Sequence, residues 1–201
     1  MYPVMLNISG KKCVIIGGGK TALRKARKLA ASGAAVTAVS PNFCGGFDCA
    51  EKIQKRYDKS DIIGAFLVIA ATDNKSLNRQ IAADAREKNI LVSLADDAEH
   101  SDFISAASAA AGDLTVSVST NGKLPLLAKR LCAEKSADID FYNSILPLLE
   151  KYRQIIIANH GDTKQELINY MLSDEMLEIA RRDTALFEDK IKEKIQFCER
   201  I

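Results

Sequence analysis

The stretch Lys12-Cys13-Val14-Ile15-Ile16-Gly17-Gly18-Gly19-Lys20-Thr21-Ala22 constrains this chain more than any other. Cys13 to Ile16 form an uninterrupted apolar run that reads as a buried strand and stops at three glycines. Ala22, Leu23, Ala26, Leu29 and Ala30 then recur at helical spacing. Within this strand, turn and helix, Gly17, Gly19 and Ala22 fill the G-x-G-x-x-[GA] spacing of a dinucleotide-binding turn. Glycine is needed there because a side chain would hold a pyrophosphate away from the backbone. The helix that follows offers the phosphate unpaired N–H groups and the positive end of its dipole. Clustered glycines also make plain tight turns; the strand before them and the helix after them favour nucleotide binding.

Downstream the alternation continues. Gly33 stops the first helix, and Ala35 to Val39 read as a second strand ending at Ser40-Pro41. NAD sites of the common type place an acidic residue near this point to hold the ribose hydroxyls. None is present, and Ser40 and Asn42 are the nearest polar candidates. No arginine stands there for a 2′-phosphate either, so NAD is expected over NADP. Ile53 to Tyr57 read as a short strand. Ala65 to Ala71 form an almost wholly apolar run, as in a central parallel strand covered on both faces. Thr72-Asp73-Asn74 supply a helix start, and Leu77, Ile81, Ala82 and Ala85 mark the inner face of a helix running to about Lys88. Ile90 to Leu94 form the next strand. Repeated strand–helix alternation predicts an α/β fold, a Rossmann-like parallel sheet whose ligands lie at the strands' carboxyl ends.

Asp96-Asp97 fall at such an end. They read equally as ligand-facing carboxylates or as a turn or helix cap. His100, in a polar loop, reads as a surface residue or as a ligand contact. After Asp102 the pattern changes. Phe103 to Ala111 are rich in alanine and serine, Gly112-Asp113 make a turn, and Leu114 to Ser119 alternate like a strand. A polar turn leads into a short helix from Leu126 to about Lys135. The remainder is helical by period: Ile139 to Ile157, Gln165 to Leu172, and Met176 to Cys198 with a break near Asp183-Thr184.

The net charge of +2 is unevenly spread: residues 1–135 carry 19 Lys and Arg against 13 Asp and Glu, and residues 136–201 carry 9 against 13. That excess is too small for a nucleic-acid partner and suits a polyanionic small molecule. No apolar run approaches the ~18 residues of a membrane span, and the N-terminal residues lack the basic and apolar regions of a signal peptide. Five cysteines, an odd number with no CxxC pair, argue against a disulfide framework or a zinc site and fit a reducing cytoplasm. No metal site is expected.

The order of motifs resembles the precorrin-2 dehydrogenase and sirohydrochlorin ferrochelatase family, the N-terminal module of siroheme synthase. The matching segments are Tyr2-Pro3, "VIIGGGKTALRKAR" from Val14, "GAFLVIAATD" from Gly64, "DDAEHSDFI" from Asp96 and "GDLTVSVSTNGKLPLLAKR" from Gly112. The resemblance implies NAD-dependent oxidation of precorrin-2 to sirohydrochlorin and, in some members, insertion of ferrous iron to give siroheme. It also implies a homodimer with an NAD-binding Rossmann-like domain (residues 1–112), a small α+β dimerisation region (113–145) and a helical C-terminal region (146–201).

By the same resemblance, Asp96 corresponds to the aspartate implicated in dehydrogenation and chelation. Gly17, Gly19, Lys20, Thr21, Pro41, Asn42, Ala71 and Thr72 correspond to the cofactor-contacting segments. Cations suited to a carboxylate-rich macrocycle are Arg24, Lys28, Lys123, Lys129 and Arg130, with His100 nearby. Two positions depart from the family: Leu124 stands where a serine often precedes the proline, and Ser101 where cysteine is common. Two further readings are a dehydrogenase that leaves chelation to a separate partner and a non-catalytic NAD- or tetrapyrrole-binding sensor or carrier.

Overall fold

The computed structural model describes residues 1–159, 161 and 163–198. The chain divides into two compact units, the first comprising Met1–Ser105 with Asn121–Lys123, the second Ala106–Thr120 and the chain from Leu124 onward.

The first unit is built on a wholly parallel five-stranded sheet. Its strands are β1 (Lys12–Ile16), β2 (Ala35–Val39), β3 (Glu51–Ile53), β4 (Leu67–Ala70) and β5 (Leu91–Leu94), in the order β3-β2-β1-β4-β5. Strand residues alternate between two cores. Val14 and Ile16 point to the side packed by Ile81 and Ala85 of α2 (Lys75–Glu87); Cys13 and Ile15 point to the side packed by Ala22 and Ala26 of α1 (Lys20–Ala31). Burial on both faces explains why these strands read as continuous apolar runs. Each buried Val or Ile contributes about 1.5–3 kcal/mol relative to an exposed one. The chain turns from β1 to β2 on one side and crosses to β4 on the other, so the topological switch point lies between the carboxyl ends of β1 and β4.

The third strand is displaced from its sequence expectation. It spans Glu51–Ile53, and Tyr57, outside the sheet, donates its hydroxyl to the buried Asp84 of α2 at 3.0 Å. Asp58 then starts a 3-10 turn at Lys59–Ile62 through a reciprocal capping box with Asp61.

The second unit opens with an antiparallel hairpin, β6 (Ala107–Ala111) and β7 (Leu114–Val118). Only β7 was legible as a strand. Gly112, with φ of +51°, makes the two-residue turn that folds the alanine-rich segment back as β6. Helices α3 (Pro125–Lys135) and α4 (Ile139–Asn159) pack on the hairpin. α4 then joins α5 (Lys164–Met171), α6 (Asp174–Arg182) and α7 (Thr184–Cys198) around Ile145, Tyr152, Ile156, Met176, Phe187 and Ile191.

Glu188 pins α7 to α4, accepting from Lys151 Nζ at 2.9 Å and from the hydroxyl of the 4%-exposed Tyr152 at 2.8 Å. The Lys151 hydrogen bond and then the Tyr152 hydroxyl pull the Glu188 carboxyl down to about 2 from an ordinary 4.5. Burial, followed by the Glu188 hydrogen bond, lifts the Tyr152 phenol to about 12. A depressed carboxyl stabilises the fold fully above its unfolded pKa and loses that contribution as pH falls through the folded one. Wild type should therefore melt above Glu188→Gln at about pH 6, with the difference closing between about pH 4.5 and 2; a pH-independent gap in thermal melts would contradict the coupling.

Candidate functional site

The β1–α1 turn is glycine for two separate physical reasons. Gly17 has φ of +134°, and a Cβ on it would strike the carbonyl of Ala71, just past β4. A Cβ on Gly18 would strike the Asn42 carbonyl and approach Ser40 Oγ, just past β2. Hydrogen bonds tie the same three segments: Gly17 N–H donates to Val39 O at 2.9 Å, Ala71 N–H to Ile16 O at 2.8 Å, and Cys44 N–H to Gly18 O at 2.8 Å. Gly19 differs, because nothing lies within 4 Å of where its Cβ would stand. It is the N-cap of α1, makes no side-chain cap bond, and is followed by a first turn without an acidic residue. The first N–H groups of a helix have no intrahelical partner, so α1 presents an open, positively polarised end over Gly19. This cradle, with Lys20 and Thr21 exposed at its rim, fits a pyrophosphate.

Past β2, the Ser40 hydroxyl is directed inward and donates to Asn42 O at 2.7 Å. Of the two polar candidates there, the Asn42 side chain is the exposed one, next to exposed Pro41.

At the ends of β4 and β5 the structure separates the two aspartates. Asp97 serves the turn: His100 Nδ1 lies 2.9 Å from its Oδ2, and His100 N–H donates to its Oδ1 at 3.2 Å. The His100 ring first, then its backbone N–H, hold the Asp97 carboxyl below its ordinary value, with Arg79 adding to the effect. Ser101 is buried, its hydroxyl donating to Asp97 O at 2.7 Å while accepting from Leu94 N–H at 2.9 Å. Asp102 pairs with Val92 at both backbone and side chain and holds Arg86. Segment 97–102 is thus fastened back along β5, and the serine at 101 performs a structural task that a small polar residue can fill. Asp96 is exposed and accepts from Asn78 Nδ2 at 3.2 Å. It lines a shallow depression with Lys75, Arg79, Leu94 and Asp97.

The other cations are dispersed. Arg24 and Lys28 are exposed on α1, flanking Lys25, whose pKa is lowered by burial and then by those two charges. Lys123 sits in the 121–123 segment of the first unit, where Gly122 lies against Ala98. Lys129 and Arg130 belong to α3 of the second unit, with Arg130 bonded to Glu134 at 2.8 Å.

Sequence reasoning missed Lys75, Asn78 and Arg79. The available signal was spacing: Asn78 stands three, four and seven residues before Ile81, Ala82 and Ala85, a polar residue on an apolar stripe. Lys75 and Arg79 share one face by their i,i+4 separation. Among the described residues, no cluster of three or more His, Cys, Asp or Glu is arranged to hold a metal ion, and no helix is long and apolar enough to cross a membrane.

Residues 4–107 match the model of a family described as "Putative NAD(P)-binding". A siroheme synthase from Chromobacterium violaceum is 39% identical over 168 residues, covering 80% of this chain and 36% of that protein. One from Thioalkalivibrio sulfidiphilus is 33% identical over 170 residues, covering 81% of this chain and 35% of that protein. The chain therefore spans about a third of the length of these relatives. Among solved structures, "SirC, precorrin-2 dehydrogenase" superposes with a TM-score of 0.74 at 24% identity, over 96% of this chain and all of that one. This likeness shows that the fold is shared.

The two roles of glycine are separable by mutation. Gly18→Ala should lower stability by about 1–3 kcal/mol through overpacking against Asn42. Gly19→Ala should stay within about 1 kcal/mol of wild type but weaken NAD binding about tenfold or more. Thermal melts and NAD titration of both variants check this; equal effects of the two on stability would contradict it.

Proposed function

The chain belongs to the putative NAD(P)-binding family, and on that premise we propose that it is an NAD-dependent dehydrogenase converting precorrin-2 to sirohydrochlorin. The observation that carries the reading is the placement of an uncrowded helix N-terminus at Gly19 and an exposed carboxylate at Asp96 on the same carboxyl edge of one parallel sheet. The siroheme synthase relatives and the shared fold with a precorrin-2 dehydrogenase support the choice of substrate.

Gly19 with the α1 N-terminus, Lys20 and Thr21 would hold the dinucleotide's phosphates over the turn that Gly17 closes; Pro41 and Asn42 stand on the β2 side, Ala71 and Thr72 on the β4 side. Bound there, NAD supplies the acceptor for the hydride that the substrate loses. The proton lost with that hydride goes to the Asp96 carboxylate, a general base on the depression's wall. Lys75 and Arg79 line the same depression one helical turn apart and are the first choice for the macrocycle's acetate and propionate groups. Arg24, Lys28 and Lys123 of the first unit and His100 at the turn offer further donors. Five free cysteines suit a reducing cytoplasmic setting.

We also infer a homodimer. β6 and β7 form a sheet of two strands, and neither outer edge is paired among the described residues. Leu124 and Leu126, at the start of α3, are 51% and 74% exposed. Such edges and apolar residues are what a second copy would cover. Light scattering should give a particle of twice 21.9 kDa; a monomer at assay concentration would remove the dimer.

The deciding assay mixes the protein anaerobically with precorrin-2 and NAD, then adds ferrous iron. NADH and sirohydrochlorin should form in the first stage; siroheme made faster in the second than without protein would add chelation. Asp96→Ala should lower kcat by about a hundredfold or more while leaving NAD affinity unchanged. Lys75→Ala with Arg79→Ala should raise KM for precorrin-2 about tenfold. Binding of both ligands without turnover would instead indicate a sensor or carrier.

A further inference from the structure

Asn78 is a polar side chain on the buried face of α2, only 1% exposed. A buried amide costs free energy unless its hydrogen-bonding capacity is met. An asparagine amide has two acceptor sites and two donors, and all of them are used here. Its Oδ1 accepts from Thr72 N–H at 3.2 Å and from Thr72 Oγ1 at 2.7 Å. Its Nδ2 donates to Thr72 O at 3.0 Å and to Asp96 Oδ1 at 3.2 Å. The amide cannot be turned over, because the Thr72 N–H can only donate and so fixes Oδ1 on its side. The Nδ2 donors must then face Thr72 O and Asp96.

One side chain therefore links the turn after β4 to the carboxylate after β5. Lys75 and Arg79 also face Asp96 from α2, and Asp97 lies beside it with His100 on the same loop. Lys75 and Arg79 are exposed on long stems, and Asp97 and His100 are engaged with each other. Among these groups, Asn78 alone is both buried and hydrogen-bonded to the Asp96 side chain.

We infer that Asn78 is a positioning residue for proton removal: it aims the Asp96 carboxylate and holds it at a set distance from the Thr72 turn. The inference rests on the reading of Asp96 as the proton acceptor. Asn78 itself touches no reacting atom and acts through Asp96.

The test compares wild type, Asn78→Asp and Asn78→Ala in the anaerobic precorrin-2 and NAD assay, with NAD affinity and melting temperature measured on each. Asn78→Asp keeps the shape and the acceptor for the Thr72 N–H and hydroxyl but replaces the donor to Thr72 O and Asp96 with an oxygen facing both. It should lower kcat about tenfold or more and leave the KM for precorrin-2 and the NAD Kd within about threefold. It should also move the acid limb of kcat against pH upward by about one unit, because two facing carboxyl groups resist ionising together. Asn78→Ala should lower kcat with a smaller upward shift of the acid limb, because it removes a donor to the carboxylate without adding a second carboxyl. If alanine prevents folding, the isosteric aspartate decides.

A folded Asn78→Asp with kcat within about twofold of wild type and an unmoved acid limb would overturn the inference. A loss confined to NAD affinity, with kcat retained at saturating NAD, would overturn it as well. Wild type that binds both ligands but forms no NADH would overturn the dehydrogenase reading, and this inference with it.

Discussion

The close approach of the β1–α1 turn to the segments following β2 and β4 is the constraint on which the first unit depends. Backbone atoms of Gly17 and Gly18 occupy space that any side chain would contest with the Ala71 and Asn42 carbonyls. Because they fit, three strand ends meet in one place, and α1 starts there with its N–H groups unspent. The sheet order puts the switch point at the same spot, so topology and turn chemistry select one edge of the molecule for ligands. Packing requires the first two glycines, and Gly19 leaves room for a ligand.

Electrostatics then divides that edge into two kinds of environment. Over Gly19 the helix end is positive and uncrowded, suited to phosphate. Past β4 and β5, acidic and basic side chains stand together, and their hydrogen bonds assign them different tasks. Asp97 is committed to His100 and the turn; Asp96 is held from beneath by Asn78 and is open from above. A pair of adjacent aspartates thus contributes one carboxylate engaged in the turn and one that is exposed.

Much of this was legible in the sequence, for physical reasons. Strands buried on both faces must be apolar throughout, so β1, β4 and β5 announced themselves, as did the amphipathic stripes of α1 and α2. One strand was misplaced and another was left unassigned. β6 is alanine-rich, with little strand propensity of its own, and exists because the turn at Gly112 returns it to β7. β3 lies earlier than expected, at Glu51–Ile53, and Tyr57 instead bonds Asp84, a residue 27 positions on in sequence. At the site, the glycine turn was readable from spacing, whereas spacing left Asp96-Asp97 open between ligand and cap roles and only the family resemblance singled out Asp96. The structure gives the two carboxylates different partners, His100 for Asp97 and Asn78 for Asp96, and Asn78 was passed over in the sequence. The helices of the second unit were readable by period; their hydrogen-bonded fastening through Glu188 was not.

The most direct measurement is a crystal structure of the protein with NAD bound. The account places the pyrophosphate over Gly19 at the start of α1, the adenosine on the side of Pro41 and Asn42, and the nicotinamide on the side of Thr72 and Asp96. A nicotinamide directed toward Pro41 and Asn42, or a pyrophosphate bound away from Gly19, would contradict it.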